Sequence, residues 1–409
     1  MTKDKIIVIG GGASGFFSAI NSVLNNPNLN VVILEKSTKL LSKVKISGGG
    51  RCNVTHNCTI NSLLVNNYPR GNKALLQLFN KFNVNDTIKW FNNNGINLNI
   101  EEDGRMFPES NSSQSIIDCF INLTHKLKIK ICVNTEVFSI TQNNNLFEVK
   151  TNTGILQANK IVCCIGGHNK TGHYQFLKNL GHTIIEPIPS LFTFNLTNNA
   201  INKALQGVSV KNVEIKLNGI KTKSYGALLI THWGFSGPAV IKLSAFAAIE
   251  LAKLNYKCNF SINWMGGLKL NEIEEILNQL KFEKRNALPY SFAPNGIPKR
   301  MWEYFLKELN FSTIKPWAEI TKKQIVKLAE LLYNNYFELN GKTTFKEEFV
   351  TCGGVDLKEI DFKTMESKIK PGLYFCGEVI NVDGITGGFN FQNAWSTAWV
   401  AAKNCSNDI

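Results

Sequence analysis

Ile6-Ile7-Val8-Ile9-Gly10-Gly11-Gly12-Ala13-Ser14-Gly15, a helix-compatible stretch from Phe16 to about Asn25, and then Val31-Val32-Ile33-Leu34-Glu35 decide the fold of this chain. Four consecutive β-branched residues, unbroken by polar ones, are the pattern of a strand buried on both faces in a parallel sheet. Gly10, Gly12 and Gly15 satisfy G-x-G-x-x-G. Gly10 permits the tight turn, Gly12 lets a pyrophosphate approach the backbone, and Gly15 lets helix and strand pack closely. The helix start then offers N–H groups and a positive dipole end to phosphates. Glu35 closes the second strand, where a carboxylate accepts from ribose hydroxyls and repels a 2′-phosphate. A glycine fingerprint alone is weak. Strand, loop, helix, strand and acid in that order make a dinucleotide-binding unit.

The other end of the chain separates FAD from NAD. Gly372-Leu373-Tyr374-Phe375-Cys376-Gly377-Glu378 reads as a strand ending in an acid, and Val382-Asp383-Gly384-Ile385-Thr386-Gly387-Gly388-Phe389-Asn390 leads into helical composition from Ala394 to Ala402. A late strand, acid and glycine-led helix suit a long cofactor crossing the sheet. In flavoproteins with two dinucleotide folds, the acid holds the ribityl chain and the helix N-terminus stabilises negative charge on the reduced ring. A third segment, Ser47-Gly48-Gly49-Gly50-Arg51-Cys52-Asn53, brings three glycines that let backbone pass close to a planar ligand, with a cation and an amide beside them.

These segments, with Thr231-His232-Trp233-Gly234-Phe235-Ser236-Gly237-Pro238 and Val350-Thr351-Cys352-Gly353-Gly354-Val355, resemble end to end the bacterial BaiN/RdsA-type flavoproteins, also called YhiN-like or aminoacetone-oxidase-like. The resemblance implies an α/β protein: a Rossmann-like, two-dinucleotide-fold FAD-binding domain, discontinuous, with an inserted β-rich subdomain and a helical subdomain. It implies an FAD shell of Gly10, Gly12, Ala13, Ser14, Gly15, Glu35, Lys36, Ser47, Gly49, Arg51, Cys52, Asn53, Gly166, Gly377, Glu378, Asp383, Gly384, Thr386, Gly387, Gly388, Phe389 and Asn390, with the backbone near Val137 against adenine. Ile161–Ile165 ends in Gly166-Gly167-His168, which is not a second fingerprint, so NAD(P)H is expected as a transient reductant without a domain of its own.

The expected domains are 1–190 with 341–409 for FAD, 191–270 as a β-rich substrate subdomain around the Asn218-Gly219 hairpin turn, and 271–340 as a helical subdomain. Strands are expected at 128–133, 146–151, 213–217 and 220–224, with Ser236 capping the helix that Pro238 opens. The net charge is +14 in 409 residues, yet only five of the 45 basic residues are arginine, so lysine bias explains part of it. Residues 191–270 hold nine lysines against Glu214 and Glu250, the most basic stretch for its length. Lys203, Lys211, Lys216, Lys221 and Lys223 lie in or near the hairpin. Ten cysteines without CxxC or zinc spacing read as reduced thiols, with no metal site. The longest apolar stretch, 239–254, is broken by Lys242, Glu250 and Lys253, and the short basic start at Lys3 and Lys5 is no signal peptide; a cytoplasmic protein with no membrane partner is expected.

The function expected is an FAD-dependent oxidoreductase delivering hydride to an activated C=C. Its leading substrate is a uridine of large-subunit rRNA drawn in by the basic insert, giving dihydrouridine. The alternatives are a flavin amine oxidase, a small-molecule ene-reductase, and a flavin-bearing binding protein without turnover. Cys52 and His232 are the candidate proton donors, the latter also a candidate substrate anchor.

Overall fold

The computed structural model describes residues 5–197, 200–343 and 350–407. Lys3 lies outside them. The chain divides into two compact units, Met1–Ser190 with Lys346–Ile409, and Leu191–Phe345.

In the first unit, β1 (Lys5–Ile9), α1 (Ala13–Asn25) and β2 (Asn30–Leu34) form a βαβ crossover. β1 pairs in parallel with β2, Val8 opposite Ile33, and on its other side with Lys160–Cys163, Val8 opposite Val162. The sheet extends in parallel to Leu373–Phe375 beyond Lys160–Cys163 and to Lys130–Cys132 beyond β2. A short antiparallel hairpin, Ile360–Asp361 with Glu366–Ser367, closes one edge. Ile6, Ile7, Val8, Ile33, Ile161 and Val162 are fully buried, which is why these strands read as unbroken apolar runs. An antiparallel meander, Val137–Asn143, Leu146–Thr151 and Gly154–Ala158, is inserted before the Lys160 strand.

Three expected boundaries move. α1 begins at Ala13 rather than Phe16, so Gly12 is its N-cap and Ala13–Gly15 its first turn. The C-terminal helix runs Phe389–Cys405, longer than 394–402, because Gly388 at φ +92° lets it start directly after the glycine pair. The strand expected over 128–133 contracts to Lys130–Cys132 after Lys128 turns at φ +56°. Trp395 anchors the C-terminal helix in an aromatic cluster, with Phe17 at 5.3 Å, Phe91 at 5.6 Å and Phe120 at 5.7 Å, and its indole N–H donates to the Val54 carbonyl at 2.9 Å.

The second unit is a closed antiparallel barrel, ordered Thr193–Leu196, Gly234–Ser236, Lys223–Ile230, Ser209–Leu217, Lys257–Asn263, Asn335–Thr343 and back to the first. The hairpin strands on either side of Asn218-Gly219 are longer than expected, and Gly219 takes φ +76° in the turn. Ser236 does not cap the next helix. It ends a short strand paired with Leu229, and Gly237 at φ +94° is the N-cap before Pro238.

The stretch 271–340 is not a separate helical subdomain. Its helices, Leu270–Glu283, Lys299–Glu308 and Lys322–Tyr333, interrupt the barrel before its last strand. Their apolar stripe (Ile273, Leu277, Trp302, Leu328) shares one buried cluster with Val213, Ile215, Phe260 and Ile262 of the barrel, so neither part has a core of its own. Among the described residues no helix is long and apolar enough to cross a membrane, and 239–254 splits into Pro238–Phe246 and Ala248–Lys253.

Trp395→Ala should cost about 3–5 kcal/mol, since it empties a fully buried indole site and strands the Val54 carbonyl. Urea unfolding checks this; a loss under about 1 kcal/mol would mean the cluster collapses around the gap.

Candidate functional site

The glycine loop sits at the carboxyl edge of the sheet. A Cβ on Gly15 would lie 1.9 Å from the Gly10 carbonyl oxygen, and one on Gly10 would lie 2.3 Å from that of Cys164. Helix, strand and neighbouring strand therefore meet backbone to backbone. At Gly12 a Cβ would meet nothing within 4 Å, so this position faces open space. That contrast separates glycines that permit packing from the one that leaves room for a ligand.

Glu35 is held from two sides. Its Oε2 accepts the Gly11 N–H at 2.8 Å, and its Oε1 accepts both the N–H and the hydroxyl of Ser37 at 2.9 Å. Oε1 is thereby filled, while Oε2 keeps acceptor capacity for one further donor. Beside it lies a cavity of about 190 Å³ lined by Gly10, Glu35, Lys36, Thr135, Val137 and His168, among others. Val137, the first residue of its strand, and Lys36 thus share one cavity with Glu35.

His168 and His173, which the sequence reading did not assign, line the same cavity and stack at 4.3 Å. Burial, with the charges of Lys36, His173 and Lys43, lowers the His168 pKa to about 3, so it is a neutral ring at physiological pH. Its Nε2 lies 3.1 Å from the Ile165 carbonyl oxygen, which only accepts; Nε2 therefore carries the proton.

The remaining segments converge on this loop from elsewhere in the first unit. The Leu41 N–H donates to the Gly11 carbonyl at 2.9 Å, which brings Ser42–Gly50 alongside. There Ser47 leaves the helical region and Gly48, Gly49 and Gly50 take φ +59°, +69° and +86°, a left-handed turn that three glycines make without strain. Gly377 packs against Ser14, 2.6 Å from its hydroxyl to where a Cβ would stand. Glu378 is paired with Lys43 at 2.5 Å, an ion pair across 335 residues that the sequence did not reveal. Gly166 and Gly49 both face open space, and Thr386 is exposed.

Several expected shell residues are tied into the scaffold. Arg51 is not a free cation: it pairs with Glu101 at 2.6 Å and lies 3.9 Å over the Phe107 ring. Asp383 is fully buried and bonded to the guanidinium of Arg70 and the Ser190 hydroxyl. Asn390 braces a turn, accepting the Gly384 N–H at 2.8 Å and donating to the Gly384 carbonyl at 2.9 Å. With its amide turned so that oxygen and nitrogen suit their neighbours, Asn53 donates to the Thr55 and Met106 carbonyls and accepts the Gly388 N–H. Phe389 is buried, stacked on His56 at 4.8 Å, with its carbonyl accepting the Tyr68 hydroxyl. Each shapes the segment that carries it: Arg51, Asp383 and Phe389 through partners distant in sequence, Asn390 within its own turn.

Of the two candidate proton donors, Cys52 is completely buried at φ +63°, and burial pushes its thiol up to about 12, opposed by a hydrogen bond with Ser47. His232 is exposed in the second unit, edge-on to Trp233 at 3.9 Å. Lys216 and Lys223, counted above as basic surface, both pair with the buried carboxylate of Glu214, at 2.5 and 3.1 Å. Among the described residues no cluster of His, Cys, Asp or Glu could hold a metal ion.

The open Gly12 position, the spare acceptor on Glu35 and the adjoining cavity fit a dinucleotide. Gly12→Ala should leave the fold intact, because its φ of −96° and ψ of −169° suit alanine, while sharply lowering retained flavin. Gly15→Ala should instead destroy the fold through its clash with Gly10. Flavin absorbance and thermal unfolding of both variants separate the two cases; equal flavin content in Gly12→Ala and the native chain would remove Gly12 from the site. Unfolded, His168 takes up its proton near pH 6.5, whereas the folded chain resists until about pH 3. Stability should therefore fall as pH drops through that window. His168→Gln should flatten the acid limb of urea midpoints against pH.

The family model described as "HI0933-like protein Rossmann domain" matches residues 4–404. A protein of Escherichia coli K12 named ribosomal RNA dihydrouridine synthase is 29% identical, with 99% of this chain and 98% of that relative covered. A 3-dehydro-bile acid delta(4,6)-reductase of Clostridium scindens is 24% identical, with 98% of each covered. The solved structure of a 3-ketosteroid delta1-dehydrogenase from Sterolibacterium denitrificans superposes with TM-score 0.51 at 12% identity, covering 98% of this chain and 99% of that one, a likeness of fold. The chain belongs to the HI0933-like Rossmann family, and it is an oxidoreductase built on a Rossmann-type FAD-binding domain.

Proposed function

We propose that this chain is a flavin-dependent reductase that saturates an activated carbon–carbon double bond, with a uridine of large-subunit rRNA as substrate and dihydrouridine as product. The observation that supports it most is full-length likeness to relatives named ribosomal RNA dihydrouridine synthase, from Escherichia coli and Haemophilus influenzae, each 29% identical. Bound FAD supplies the two-electron chemistry for that reduction. NAD(P)H is the reductant, docking transiently.

The residues of the first unit bind and orient. The N–H groups of the Gly12-Ala13-Ser14 turn, at the start of a 13-residue helix, receive the pyrophosphate. Glu35 Oε2 accepts from the adenosine ribose, with Lys36 and Val137 beside the base. Glu378, fixed by Lys43, and the segment 384–388 hold the flavin end, where the N-terminus of Phe389–Cys405 favours developing negative charge. Ser47 and Gly49 would help hold the flavin end, Gly49 facing open space. Arg51, Asn53, Asp383, Asn390 and Phe389 position these segments through the ties described above.

His232 carries the proton transfer in this reading. Cys52 packs: a buried thiol pushed up to about 12 is a weak acid at neutral pH. Lysines of 191–270, all nine exposed, supply phosphate attraction, reduced where Lys216 and Lys223 answer Glu214.

Nucleoside mass spectrometry of large-subunit rRNA from cells with and without the gene tests the substrate. Loss of one dihydrouridine, restored by purified holoprotein with NAD(P)H, is the expected result. His232→Gln should slow restoration by about 10²-fold or more, while Cys52→Ala, if it keeps FAD, should not. An unchanged dihydrouridine level would sink the RNA reading and turn the search to 3-dehydro-bile acids, the substrate class in the name of the 24% identical relative.

A further inference from the structure

The second unit exposes large apolar side chains at one end of its helical insertion. Phe282, in the last turn of Leu270–Glu283, is 83% exposed, Ile314 is 83% exposed and Phe292 is 40% exposed. The segments that carry them are bonded to one another: the Trp317 N–H donates to the Ala287 carbonyl and the Ala318 N–H to that of Arg285, both at 2.9 Å. Lys281 Nζ donates to the Ile320 carbonyl at 2.5 Å, tying the helix end to the same loop.

Cations are interleaved with these rings. Lys284 Nζ lies 4.9 Å from the Phe292 ring centre, and Arg285 and Lys315 are exposed. Of the acids nearby, Glu283 accepts from Gln279 at 2.8 Å and Glu319 is the other. A run of apolar side chains this exposed marks an interaction site. Basic residues alternating with flat rings suit a strand whose phosphates are anionic and whose bases are unpaired, since every base offers a face to stack. The basic stretch 191–270 has one comparable pair, Lys223 at 5.2 Å from the ring of Tyr225, but that lysine is also drawn to Glu214.

We infer that this tip, centred on Phe282, Phe292 and Ile314 with Lys284, Arg285 and Lys315, binds single-stranded RNA by stacking and phosphate contact. The inference rests on the RNA-reductase reading above and adds a docking surface to it.

Fluorescence anisotropy of the holoprotein with a labelled single-stranded oligouridylate and with an RNA duplex tests it. The double variant Phe282→Ala/Ile314→Ala should weaken single-strand binding roughly tenfold or more and leave duplex binding nearly unchanged. Both side chains are solvent-exposed, so folding is spared. Arg285→Ala/Lys315→Ala should lower the slope of log affinity against log salt by about one to two. Single-strand affinity unchanged in both double variants overturns the proposal. So does sedimentation showing that Phe282→Ala/Ile314→Ala abolishes self-association while RNA affinity holds, which would assign the tip to a second copy of this chain. Dihydrouridine formation on large-subunit rRNA is followed in the same preparations. A wild type that forms none while anisotropy retains the tip's effect sinks the parent reading alone. An active wild type whose tip variant needs no more rRNA for half-saturation sinks the tip alone.

Discussion

The backbone contact between Gly10 and Gly15 is the constraint from which the first unit follows. With no side chain at either position, α1 starts within van der Waals reach of the strand that feeds it, and Cys164, just past the neighbouring strand Lys160–Cys163, closes in from the side. This proximity fixes the helix N-terminus at the carboxyl edge of a parallel sheet, where ligands of such sheets bind. The open space at Gly12, between two packed glycines, turns a structural turn into a cradle. Everything else in the site is placed against it: Leu41 by a backbone hydrogen bond, Gly377 by contact with Ser14, and Glu35 through the Gly11 N–H.

Three acids of the expected shell meet three different environments. Glu35 is oriented by backbone and hydroxyl donors and keeps one acceptor position. Glu378 is mostly buried beside a half-exposed Lys43, so its charge is held in place but reachable. Asp383 is sealed, its carboxylate held by Arg70 and Ser190. A sealed ion pair contributes little net stability, because desolvation offsets the attraction, yet it imposes one geometry on the chain that carries it. Asp383 thereby sets the course of the segment leading into Gly384–Gly388.

In the second unit, counting charge and locating it give different pictures. The stretch 191–270 is the most lysine-rich for its length, but its buried Glu214 draws Lys216 and Lys223 to itself. Burial pushes the Glu214 carboxyl up, and the pairs with Lys216, Tyr225 and Lys223 outweigh it and hold the pKa below the ordinary value. The segment 271–340 is nearly balanced in composition. Folding nevertheless gathers Lys284, Arg285 and Lys315 with exposed Phe282 and Phe292 at one end.

Local pattern carried the dinucleotide-binding half of this protein. A buried parallel strand has to be apolar throughout, a tight turn at a helix start has to be glycine, and both signatures lie within thirty residues of the N-terminus. The likeness of the C-terminal strand and glycine-led helix was legible for the same reason. Only the tertiary structure decided which shell residues stay open and which are spent on packing. Arg51, Asn53 and Asp383 bond to Glu101, Gly388 and Arg70, pairings that spacing along the chain does not encode. It also decided that the helices of 271–340 share the barrel's core: an amphipathic stripe announces that it must be covered, but not what covers it. Hydrophobic periodicity is a local property, whereas burial and ion pairing depend on what the rest of the chain brings into contact.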